Sequence, residues 1–138
     1  MKTRFAIRIA ALVFGLIIIA AVVIANLGYS ESFWPIISHT PNADKVGHIG
    51  ILGILGFLSN LAFPDFRIRF LPRFVTATSF VLLVLISLEE ISQAFIPSRH
   101  CDIFDWLADL TGLAIGQITA GIIASRSKAR LQAKGTFQ

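Results

Sequence analysis

The chain has 138 residues, 55% of them hydrophobic and only 14% charged, with a mean hydropathy of +0.76. A soluble domain carries roughly 25% charged residues, so this composition excludes an ordinary soluble enzyme and points to a small membrane protein. One cysteine, Cys101, leaves no intrachain disulfide and no CxxC redox or zinc motif, and the net charge of +4 has to be explained by where the basic residues lie.

The first apolar block, Ile9 to Leu27, is long enough to cross a hydrocarbon core that needs roughly 20 helical residues. Its basic head and the Val-Ile-Ala before Asn26 also resemble a signal peptide, but the run exceeds the usual h-region of about 7–15 residues, so a retained span is expected. The second block runs from Val46 to Phe63, after a Thr40–Lys45 segment in which Asn42 or Asp44 is expected to cap the first turn. The third runs from Phe74 to Ile96 and stops at Pro97, whose ring cannot continue a helix. The fourth runs from Asp102 to Ala124, followed by a basic tail. Short turns between long apolar segments predict an all-α protein: a single domain over residues 1–138 folded as a four-helix transmembrane bundle, with every backbone amide paired inside its own segment.

Orientation follows from lysine and arginine. Ten of the twelve basic residues (Lys2, Arg4, Arg8, Arg67, Arg69, Arg73, Arg126, Lys128, Arg130 and Lys134) fall on one side of that topology, whereas Asp65 is the single acid there. The positive-inside rule makes that side cytoplasmic and places both termini within the cell. A multi-pass protein of the inner (cytoplasmic) membrane is expected. The same asymmetry accounts for the net charge without a nucleic-acid partner.

The acids gather at the other end. At about 1.5 Å per residue, Glu90 and Asp109 each lie roughly 10 Å below the outer ends of their helices, and His48 lies one turn into the second span. Ionisable groups at such depth cost free energy facing lipid, so they should face one another or a wet cavity. Asp44 and His48 are i,i+4 neighbours, and Glu90 and Gln93 are i,i+3. Asp102, Asp105, Asp109, Gly112 and Gly116 form one stripe whose inner half is a GxxxG, suited to close approach by a helix carrying Gly47, Gly50, Gly53 and Gly56. Arg99, alone among the arginines in lying outside, has the planar fork that suits a carboxylate or phosphate. It could equally pin its loop by pairing with Asp102 or Glu89. Asp102 reads as an N-cap, and Trp34 and Trp106 as interfacial aromatics, with His39, His100 and Cys101 in loops or at the interface.

Asp44-Lys45-x-x-His48 and the stretch from Glu89 to Gly116, with Glu89-Glu90-x-x-Gln93, Phe95-x-Pro97-x-Arg99 and Asp105-x-x-x-Asp109 leading to Gly112-x-x-x-Gly116, resemble the VanZ-like membrane proteins. Glu89 and Asp109 depart from the Asp and Asn usual in that pattern. The resemblance implies a cell-envelope setting and a link to teicoplanin-type glycopeptide susceptibility. It does not imply a known reaction.

Three uses of the outer cluster remain open. As an enzyme on a cell-envelope lipid or lipid-linked cell-wall precursor, the protein would use Glu90 or Asp105 as general base and His48 as the complementary group, with Arg99 and Lys45 holding the head group. Asp44, Gln93 and Asp109 complete the expected binding set. As a binder, the same pocket would hold the ligand without turnover; as a scaffold, it would fix helix register. The spacing calls for no cofactor, though His48, Glu90 and Asp105 are ligand types that suit a divalent metal. Membrane lipids are the expected partners, and four spans leave room for a homo-oligomer.

Overall fold

The structure is a computed structural model and describes residues 2–29, 42–64, 66, 68, 71–72, 75–97, 99 and 101–135. Trp34, His39, Asp65, Arg67, Arg69, Arg73 and His100 lie outside them. The described residues form four helices and no strand: α1 (Lys2–Asn26), α2 (Ala43–Ala62), α3 (Ala77–Gln93) and α4 (Ile103–Gly135). Of these, α1, α2 and α4 are long and apolar enough to cross a membrane.

Two helices differ from expectation in length. α3 has 17 residues, about 25 Å of rise, rather than the whole of 74–96. Thr76 fixes its start, because the Thr76 side chain accepts the Ser79 N–H at 3.1 Å. Its end tightens before Pro97, where the N–H groups of Ala94, Phe95 and Ile96 each reach back only three residues. α4 continues past Ala124 to Gly135. The tail holds strong helix formers and no proline, so nothing stops the helix until glycine. The start of α2 also departs from the expected cap: Asn42 takes a left-handed backbone (φ 60°) and makes no side-chain cap bond, while Asp44 accepts from Lys45. An N-cap normally has an extended backbone, which is what brings its side chain to the free amides.

α2 and α4 form the central seam and run parallel. A Cβ on Gly112 would collide with the Ile49 carbonyl and sit 3.0 Å from the Gly53 nitrogen. One on Gly116 would collide with the Gly53 carbonyl and sit 2.6 Å from the Phe57 nitrogen. Only glycine lets the two backbones come this close. Gly53 and Gly56 meet the stripe from the α2 side, but Gly47 and Gly50 have nothing within 4 Å, so half of the α2 glycine row leaves space instead of filling it.

α3 runs antiparallel to both seam helices, tied to α4 where Trp106 Nε1 donates to Ser87 Oγ at 3.0 Å. Trp106 is thus a half-buried tether between α3 and α4. α1 is antiparallel to α2: Arg8 Nε donates to the Ala62 carbonyl at 3.3 Å, and its guanidinium lies 5.4 Å from the Phe63 ring centroid. A cation there satisfies a carbonyl at the negative end of α2. Elsewhere α1 shows large apolar side chains such as Leu12, Leu16, Ile17 and Ile19 outward, as expected of a surface solvated by lipid.

Candidate functional site

The parallel seam brings the first turns of α2 and α4 side by side, and a charged layer forms there. Lys45 Nζ donates to Asp44 Oδ2 (2.9 Å), Asp102 Oδ2 (2.8 Å) and Asp105 Oδ1 (2.5 Å). An ammonium has three protons, so Lys45 is saturated by three carboxylates. One turn deeper, His48 Nδ1 lies 2.8 Å from Asp109 Oδ1. Asp109 is 4% exposed. His48 makes no other side-chain hydrogen bond among the described residues.

α3 closes the layer from the other side. Glu90 Oε1 accepts the Asp102 N–H at 2.7 Å, which satisfies one of the free amides where α4 begins. Gln93 Nε2 donates to Glu89 Oε2 at 2.8 Å and lies 3.4 Å from Glu90 Oε2. Glu90 and Gln93 are 5% and 2% exposed. Asp102 therefore does more than the N-cap duty read from the sequence. Its Oδ1 accepts the Phe104 N–H at 2.9 Å, its N–H binds α3 and its Oδ2 binds α2. Its carboxyl lies in the loop just ahead of α4, and the Lys45 ammonium, helped by the Phe104 N–H, holds it below the usual aspartate range.

All eight residues expected at the site lie at this end, in different states. Asp44 and Asp105 each accept from Lys45, and His48 is paired with Asp109 rather than with Glu90 or Asp105. Glu90 serves as a backbone acceptor. Arg99 forms no ion pair with Asp102 or Glu89 among the described residues; its Nε is buried without a partner, as is Glu89 Oε1. No group of three or more His, Cys, Asp or Glu residues among those described converges as a metal site, so His48, Glu90 and Asp105 do not form one.

Beside the layer lies an open groove of about 450 Å³, lined by Asn42, Lys45, Phe104, Leu107, Ala108 and Thr111. Its α4 wall is largely apolar and its α2 end carries the saturated lysine. With Nδ1–H donated to Asp109, the His48 ring would keep an acceptor lone pair on Nε2, an arrangement suited to proton transfer.

Comparison with known families decides the lineage. The VanZ/LLP1 family model matches residues 5–124. The chain belongs to the VanZ/LLP1 family. The match takes in α1 as well as the motif-bearing helices and stops where the apolar part of α4 stops. No curated protein and no solved structure matches this VanZ/LLP1 chain. With helices long and apolar enough to span, it is a membrane protein.

This VanZ/LLP1 chain also has a second polar layer, at the opposite end of the seam, which the motif residues do not reveal. Asn60 Nδ2 donates to Ser79 Oγ (2.9 Å) and to the Gly56 carbonyl (2.7 Å). The Thr76 hydroxyl donates to Asn60 Oδ1 (2.5 Å), and the Thr76 N–H donates to Gln117 Oε1 (3.1 Å). Among the described residues the layer joins α2, α3 and α4 through neutral groups, and beside it in sequence the buried Thr78 hydroxyl has no partner. Asn60 and Gln117, amides inside apolar runs, are the sequence signal for it, since polar groups within a span need partners.

Proposed function

We propose that the protein binds a cell-envelope lipid or lipid-linked cell-wall precursor from the outer side of the cytoplasmic membrane. In this reading it crosses that membrane several times with both termini inside. The ligand's apolar part lies along Phe104, Leu107 and Ala108, and its polar head meets the layer around Lys45. The observation that carries the reading is the groove, which is apolar along one helix, ionic at one end and open. Holding such a precursor would alter susceptibility to teicoplanin-type glycopeptides.

A second reading is favoured by the His48–Asp109 pair alone: proton transfer on the bound ligand, which would make the protein an enzyme. Native mass spectrometry from mild detergent tests both. A discrete bound mass is expected on wild type and should be lost when Thr111→Trp fills the exposed groove wall. If Asp109→Asn keeps the bound mass but stops its conversion, the catalytic reading holds. Wild type with no bound mass would overturn both.

A further inference from the structure

The last turns of α4, from Ser125 to Gly135, extend past the end of α2. Gly112 and Gly116 pack at the level of Ile49 to Phe57, so by equal rise α2 ends level with roughly residue 123 of α4. Beyond that level α4 continues for about 16 Å. From Ser125 to the end of the chain there are four basic residues and no acid. Arg126, Lys128 and Arg130 are exposed and make no hydrogen bond or ion pair among the described residues. The contrast with Lys45, which is enclosed by three carboxylates, is complete.

A simpler explanation covers only part of this. Cations near a helix C-terminus offset the macrodipole, but that effect is confined to the final turn, and Arg126 and Lys128 stand one to two turns before it. They follow directly on the apolar stretch, where long side chains place their charges at the head-group level. Arg126 and Arg130, four residues apart, share one side of the helix, while Lys128 lies near the opposite side by register. Cations therefore surround the helix where it leaves the hydrocarbon, a geometry that fits a ring of head groups better than one partner face.

We propose that this segment is a docking surface for the anionic phospholipid head groups of the membrane from which α4 emerges, with Arg126, Lys128 and Arg130 as the binding cations. The segment lies beyond the part of the chain that matches the family model, and the assignment is independent of the groove.

The test offers the full chain, in mild detergent, equal amounts of phosphatidylglycerol and phosphatidylcholine with the same acyl chains, and counts retained lipids by native mass spectrometry. Wild type should prefer the anionic lipid by roughly tenfold, and high salt should weaken that preference. R126Q/K128Q/R130Q should bring retention to near parity, while R126K/R130K, which keeps the charge, should keep the preference. Equal retention of the two lipids by wild type overturns the proposal and leaves an acidic protein as the partner. A preference that survives the triple glutamine substitution overturns it as well.

Discussion

The two polar layers of the seam solve one problem in opposite ways. Both bury polar side chains between helices whose other faces are apolar. In one layer, the Asn60, Thr76, Ser79 and Gln117 side chains are neutral and bond to one another. In the other the groups are charged: one ammonium bridges three carboxylates, an imidazole bonds a fourth, and Arg99 Nε and Glu89 Oε1 are left without a partner among the described residues. A neutral network can close on itself at little electrostatic cost. A charged one depends on exact partner counts, and any surplus looks for a ligand. The neutral layer therefore reads as a fixed joint and the charged layer as the working end.

The largest expected effect lies between the layers and would break both. Gly116→Leu forces a side chain into the Gly53 carbonyl and should cost about 3 kcal/mol, read as loss of the folded species on thermal melting in detergent. Gly121→Leu, with nothing within 4 Å, is the matched control and should melt like wild type.

Next is the charged layer. Lys45→Met leaves Asp44, Asp102 and Asp105 without their shared cation and should cost about 2 kcal/mol. That is less than for a sealed ion pair, because a quarter of the Lys45 side chain is exposed. Adding Asp105→Asn should recover part of the loss, and simple additivity in the double-mutant cycle would count against the shared-cation arrangement. In the neutral layer Asn60→Ala should cost about 1 kcal/mol. If the layers differ as described, that loss is the same at low and high salt.

The smallest effect is a pH dependence confined to the charged layer. Lys45 lowers the Asp102 pKa on folding, so the contribution of this carboxylate is complete above its unfolded value of about 4. It is lost as the pH falls through the lower folded value. The melting gap between wild type and Asp102→Asn should therefore be constant from neutral pH down to about 5 and shrink below 4. A gap that widens on acidification would reverse the sign of the argument.

Much of this was legible in the sequence. The apolar blocks located all four helices, and the Gly112/Gly116 spacing identified the face of α4 that meets α2. Depth arithmetic brought His48, Glu90 and Asp109 to one end. Partner choice was not legible, because it depends on the parallel register of α2 and α4, which no local pattern encodes. That register gives Asp105 to Lys45 and Asp109 to His48, and turns Asp102 from a cap into the junction of three helices. The length of α4 was missed for another reason. Hydropathy marks where a helix leaves lipid, whereas helix propensity decides where it ends, and from Ser125 onward the two diverge.

The central claim is that the charged layer faces the envelope side and meets its ligand there. The most direct measurement uses Cys101, the only cysteine of the chain, which is exposed in the loop that leads into that layer. Intact cells expressing the protein are treated with a membrane-impermeant maleimide, and parallel cells are permeabilised first. Labelling of Cys101 in intact cells is the expected result. Labelling only after permeabilisation would turn the charged layer toward the cytoplasm and contradict the proposed function.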